Sequence, residues 1–265
     1  MQGLQSVILF SLPELDGAVE PTVLGGLRGK EIALLPERVT RLCGRLKAWV
    51  SLKKKSAYDR RVGILVYGFP PNVGAVATAA LLDVGESLRS LLLRMKENGY
   101  DLGECEPEGW RGEDIVEALR DLCAEGVGEG GIDRARRILL GTGRGRVTSL
   151  QLLPGVDIEG QEVTREQFWE WVGPEMGGKI ERQWGDLESY RNPGLGSTSA
   201  GKFAVIGLRV GKVFLGVQPL LGLEGDPMRL LFQRDLTPHP QYAAFYLWLQ
   251  RQRKIDVLVH FGKKK

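Results

Sequence analysis

The chain has 265 residues, 43% of them hydrophobic and 26% charged, with a formal net charge of +3. This is ordinary globular composition, long enough for one large domain or two small ones, and the weak charge gives no reason to expect nucleic acid or a membrane surface as partner. Cys43, Cys105 and Cys123 lie far apart without CxxC spacing, which excludes a disulfide scaffold and a zinc site of that kind and fits a reducing compartment. No apolar run approaches the ~18 residues of a transmembrane segment. The N-terminal stretch has neither the basic and apolar regions of a secretory signal nor the acid-poor look of a transit peptide, so a soluble protein is expected.

In chain order, Ser6–Phe10 (SVILF) is a short apolar run that predicts a buried strand. Apolar residues Val39, Leu42, Leu46, Trp49 and Val50 recur at helical spacing between Pro36 and Leu52. Arg61–Gly68, rich in β-branched residues and followed by Phe-Pro-Pro, is the clearest strand. The clearest helix follows, with Ala77, Ala80, Leu81, Val84, Leu88, Leu91, Leu92 and Met95 at helical spacing and Asn98-Gly99 as its stop. Strand, Gly/Pro loop and long helix make half of a βαβ unit, so the expected fold is α/β, with a mainly parallel sheet flanked by helices.

Glycine and mixed charge are dense in 103–145, read as a flexible, peripheral insertion with two short helices near 114–124 and 132–140. Thr164 and Gln167 fit a capping box at a helix start. After a loop at Asn192–Lys202, the runs Phe203–Val210 and Val213–Val217 predict a β-hairpin turning at Gly211-Lys212. A Gly-rich loop from Leu221 to Pro227, an aromatic helix from Pro240 to Arg253 and a buried-looking strand at Ile255–Phe261 complete the chain. The division expected is an N-terminal segment, 1–58, and an α/β domain, 59–265.

Four segments in order carry a family resemblance. They are Pro13–Pro21 (PELDGAVEP), Tyr67–Gly74 (YGFPPNVG) with Thr78–Val84, Val213–Pro219 (VFLGVQP) running through Gly222–Phe232 (GLEGDPMRLLF), and Thr237-Pro238-His239 with Ala243–Tyr246 and Val259–Gly262 (VHFG). In these the chain resembles the large-subunit family of magnesium chelatase and cobaltochelatase. The EGDPMRLLF form is similar to the porphyrin-binding H subunit of the magnesium enzyme. The match is weakest from Gly103 to Leu187. The family's subunit is several times longer, and its His-Phe-Gly continues into a segment where this chain has Lys263-Lys264-Lys265; a fragment, split gene product or truncated paralogue, inactive in isolation, is therefore expected.

The resemblance implies ATP-dependent insertion of Mg²⁺ into protoporphyrin IX in chlorophyll biosynthesis, with ATP used by partner I and D subunits, in a plastid stroma or the cytoplasm of a phototrophic bacterium. Cobaltochelatase, or a non-catalytic tetrapyrrole- or partner-binding module, is the alternative. Metal insertion needs a base for two pyrrole protons and hard ligands for the cation, since Mg²⁺ prefers oxygen and dehydrates reluctantly. The candidates are Glu224 and His260 as catalytic and metal-path residues, with His239 as a further ligand. Asp226, Arg229, Asn72 and Gln218 are candidates for holding the macrocycle. From the residues alone, Glu224 and Asp226 also read as turn-forming carboxylates, His260 as a core histidine, and Asn72 as part of a plain strand-to-helix turn. The loop at Tyr67–Gly74 lacks the lysine and spacing of a nucleotide motif. No arrangement suggests a Ser or Cys nucleophile.

Overall fold

The computed structural model describes residues 5, 7–19, 21–67, 82–125, 133, 135, 137, 149–189, 201–219 and 236–261. The chain divides into two compact units, Met1–Lys55 and Ser56–Lys265. In the first, an antiparallel hairpin of β1 (Gly25–Arg28) and β2 (Glu31–Leu34) precedes helix α1 (Pro36–Lys54), where proline sits in the first turn and needs no donor partner. The strand expected at Ser6–Phe10 is not formed: Val7–Ser11 winds into a π-type turn, with Val7, Ile8 and Leu9 about half exposed. Five apolar residues do not distinguish strand from helix, and the only sheet in this unit among the described residues is the β1-β2 hairpin.

The second unit is built on a five-stranded mixed sheet in the order β4-β5-β6-β3-β7. Strand β3 (Val62–Val66) is buried at every residue. It pairs in parallel with β6 (Val213–Val217) on one side and β7 (Val257–Phe261) on the other. Strands β4 (Asp157–Thr164) and β5 (Lys202–Val210) add the antiparallel half. The β5–β6 hairpin turns at Gly211, whose φ of +58° is the conformation a two-residue turn asks of its first residue. The final strand begins at Val257 rather than Ile255, and it alternates half-buried and exposed residues instead of being buried throughout. Among the described residues it lies at the end of the sheet order, with one pairing neighbour.

Helices α2 (Val84–Glu97) and α3 (Gly112–Glu125) cover one face of the sheet. Leu88, Leu92, Ile115, Leu119 and Leu122 pack there with Ile64, Leu208 and Leu215. Each such fully buried side chain is worth roughly 1.5–3 kcal/mol relative to exposure. Asp83 caps α2 by accepting from the Glu86 amide at 2.9 Å, and Gly99 closes it at φ +77°. The expected peripheral character of 103–145 therefore fails for its first part. Helix α3 is amphipathic and belongs to the main core, and its glycine serves a close helix crossing rather than a loose loop. Residues 126–132 and 138–148 lie outside the described residues.

The other face carries α4 (Arg165–Val172), α5 (Pro174–Trp184) and α6 (Pro240–Leu247), the last continuing into a π-type turn at Trp248–Gln252. Phe168, Ile180, Phe245 and Trp248 pack there on Leu65, Phe203 and Phe214. The Thr164–Gln167 capping box starts α4, with both reciprocal hydrogen bonds made. Among the described residues no helix is long and apolar enough to cross a membrane.

Candidate functional site

Three parallel strands, β6, β3 and β7, end together at one edge of the sheet. In α/β sheets the crevice beyond the carboxyl ends of parallel strands is where ligands bind, most of all where chain direction splits to either side of a central strand. Strand β3 occupies that position here. The ladder runs on past the strands, since the Tyr67 amide donates to the Phe261 carbonyl at 3.2 Å and the Gln218 amide to the Val66 carbonyl at 3.0 Å.

Side-chain alternation then decides what gathers on which face. Leu65 and Phe214 belong to the core beneath α6. Residues two positions further on, Tyr67 and Gln218 (the latter two beyond Gly216), fall on that same face. His260 lies opposite Leu65 in the β3–β7 register and shares it. Helix α6 lays Tyr246 across the group. The Tyr246 hydroxyl donates to Gln218 Oε1 at 3.1 Å, and its ring stacks on His260 with centroids 6.0 Å apart and planes 24° apart. One turn earlier on the helix, the Tyr242 ring lies 4.7 Å from that of Tyr246. Burial pushes the Tyr246 phenol well above the usual range, helped by its hydrogen bond with Tyr242 and by the Tyr242 and Tyr67 phenols, so it is a neutral donor. His260 itself is exposed.

Of the residues selected from sequence, Gln218 and His260 are thus brought together. His239 is placed differently. It precedes α6, where its carbonyl accepts from the Ala243 amide, and it is 6% exposed. Its ring meets Trp184 edge to face at 4.9 Å. Trp184 in turn donates to the Thr237 hydroxyl at 2.9 Å. Burial lowers the His239 pKa to about 4, so the ring is neutral at physiological pH. Asn72, Glu224, Asp226 and Arg229 lie outside the described residues.

From sequence, Tyr242 and Tyr246 read with Phe245 and Trp248 as one aromatic set, more often core than ligand wall. Within the aromatic set of α6, Phe245 and Trp248 are buried core, whereas Tyr242 and Tyr246 are half-buried at the strand ends. Their spacing of four residues on one helix face, each ring carrying a polar tip, was the available signal. Among the described residues no three His, Cys, Asp or Glu side chains gather to hold a metal ion. Cys105 is buried with its thiol raised to about 11, which leaves no thiolate near neutral pH.

The α/β sheet carries a polar, aromatic cluster at its parallel strand ends, and this cluster is the candidate ligand site. The chain belongs to the CobN/Magnesium Chelatase family, which matches residues 1–264. The magnesium-chelatase H subunit of Chlorobaculum parvum is 35% identical over 259 residues, covering 98% of this chain and 18% of that protein. The chloroplastic magnesium-chelatase ChlH subunit of Oryza sativa is 32% identical over 263 residues, covering 98% of this chain and 16% of that protein. Among solved structures, the catalytic subunit of cobaltochelatase from Mycobacterium tuberculosis superposes with a TM-score of 0.64 at 20% identity, over all of this chain and 20% of that one. That last likeness carries the fold. The chain spans about a fifth or less of the length of these relatives.

Proposed function

We propose that the chain is part of the porphyrin-binding subunit of a magnesium chelatase, which holds protoporphyrin IX while Mg²⁺ is inserted during chlorophyll biosynthesis. The observation that carries this reading is 35% identity to a magnesium-chelatase H subunit along 98% of the chain. Cobaltochelatase, acting on a corrinoid precursor, is the second reading, supported by the matched family's spanning both enzymes.

Each insertion places one dication in the ring and releases two pyrrole protons. An exposed imidazole at the strand ends suits one of these transfers, and we assign it to His260, with Glu224 as the other acceptor and a carboxylate ligand on the metal's path. Gln218, Asn72, Asp226 and Arg229 are proposed to contact the macrocycle, Arg229 through a propionate. His239, neutral and packed on Trp184, is left as a tentative third ligand. ATP hydrolysis falls to partner I and D subunits. Because the chain spans 18% of the Chlorobaculum parvum protein, insertion is expected only when the rest of a large subunit and the motor are supplied, in a plastid stroma or the cytoplasm of a phototrophic bacterium.

Titration of the chain with a soluble protoporphyrin analogue, read by quenching of its six tryptophans, tests the reading. Saturable quenching should weaken with Arg229→Ala or Glu224→Gln and be indifferent to Lys53→Ala. A folded chain that shows no saturable quenching would remove the tetrapyrrole site from these residues. Supplying Co²⁺ and a corrinoid precursor beside Mg²⁺ and protoporphyrin to the reconstituted enzyme separates the two readings.

A further inference from the structure

We propose that Tyr246 is a positioning residue at the strand-end site, holding the His260 imidazole with its ring and the Gln218 carboxamide with its hydroxyl. The inference rests on the reading of His260 as a group on the metal's path, and it gives a role to a residue that the sequence offered only as part of an aromatic helix segment.

Among the described residues His260 stands on a strand paired on one side only, with its side chain exposed. An imidazole in that setting rotates freely unless something lies against it. Tyr246 supplies the surface, 6.0 Å away and 24° from parallel. The tyrosine is itself held. Phe245, in the core, meets its ring edge-on at 5.7 Å, Tyr242 lies 4.7 Å away, and Gln218 takes its hydroxyl at 3.1 Å. Gln218 is fixed in turn by its backbone bond to Val66. One helix side chain therefore ties together the ends of β6 and β7, the two strands on either side of β3. With Oε1 engaged by Tyr246, the Gln218 amide nitrogen is the half of that group left to donate to an acceptor on a ligand.

The benefit is preorganisation. Freezing one free surface side chain on binding costs about three- to tenfold in affinity, and a ring already held does not incur it. The hydroxyl adds a smaller share, about threefold, as one neutral hydrogen bond does.

The chain has two histidines, so their ring signals in a proton–carbon NMR spectrum can be told apart with a single His260→Ala variant. His239, packed on Trp184, serves as an internal control for the fold. Tyr246→Leu should move the His260 ring signals to those of a free surface imidazole and leave those of His239 in place. Tyr246→Phe should keep the His260 signals and shift the Gln218 carboxamide pair instead. In the porphyrin titration Tyr246→Leu should weaken quenching about three- to tenfold, with Phe restoring the part that depends on the ring. Unchanged His260 signals in a folded Tyr246→Leu variant would overturn the proposal. If that variant does not fold, a nuclear Overhauser contact between the Tyr246 and His260 rings in the unaltered chain decides, and its absence has the same meaning. Should His260→Ala leave porphyrin binding and reconstituted Mg²⁺ insertion untouched, it is the assignment of His260 that fails, whatever the ring contact shows.

Discussion

Two histidines of one chain show how burial sets what a side chain can do. His260 stands exposed at the strand ends, while His239 is enclosed beside Trp184, where desolvation favours its neutral form. The folded protein protonates His239 only near pH 4, whereas an unfolded histidine takes its proton near 6.5. Between those values the unfolded state binds more protons, so stability falls as pH drops through the window and is complete above it. The loss by pH 4 reaches up to about 3 kcal/mol, at about 1.4 kcal/mol per pH unit. His239→Phe keeps an aromatic ring against Trp184 and removes the titration. Urea denaturation at pH 7 and pH 4.5 should therefore show a smaller acid-dependent drop in the variant than in the parent chain. An identical drop would place the acid sensitivity elsewhere.

At the scale of elements, helices α2 and α3 cross so closely that their glycines touch. A methyl group on Gly85 would fall on the Gly112 carbonyl, and one on Gly112 would fall on the Glu86 amide. Gly178, on α5, faces only the far end of Arg182 at 3.7 Å. Alanine is the better helix former by about 1 kcal/mol, so the two sites should respond with opposite signs. Gly85→Ala is expected to cost roughly 1–3 kcal/mol, because backbone must move to admit the methyl group. Gly178→Ala is expected to be neutral or to stabilise by up to about 1 kcal/mol, with urea midpoints as the measure. The same crossing explains why part of the fold was illegible in sequence. Strand β3, the body of helix α2 with its Asn98-Gly99 stop, the capping box and the β5–β6 hairpin all rest on local signals and are legible directly. The start of α2 is not, since the helical spacing from Ala77 runs through Leu82 and Asp83 whereas the helix begins at Val84 with Asp83 as its cap, and Ala77–Leu81 lie outside the described residues. Helix α3 was placed at about the right residues but taken for surface, because the glycines before it look like loop until their packing partner is known. Strand β4 went unread: its buried residues, Ile158 and Val163, point to opposite faces, and polar residues fill the positions between them. At the candidate site, Gln218 and His260 came from motif resemblance. Tyr246 lies in the same motif segments but reads there as core, because its role depends on which strand end the helix crosses.

The whole chain is two units of unequal footing. In Ser56–Lys265 a sheet is covered on both faces, and β3 has no exposed residue. In Met1–Lys55 no described residue is buried. Of the apolar row expected on its longest element, α1, Val39 and Leu42 are half-buried, while Leu46, Trp49 and Val50 are each 41–53% exposed. A helix of 19 residues with more than half of its apolar row exposed is marginal in water, because nucleation is costly and most helical stability in proteins comes from packing of the apolar face. The supports α1 does have are small. The Glu37–Arg41 pair, one turn apart at 2.7 Å and largely exposed, adds about 0.3–0.5 kcal/mol, and Leu35 at the N-terminus offers no capping side chain. Amide hydrogen exchange on the chain should therefore separate the units sharply. Backbone amides of β3 are expected to exchange only by global unfolding, while those of α1 exchange within a small factor of the rate for an unstructured peptide. Protection in α1 equal to that in β3 would mean that its apolar row is covered in solution, and dilution would then show whether the cover is a second copy of the chain.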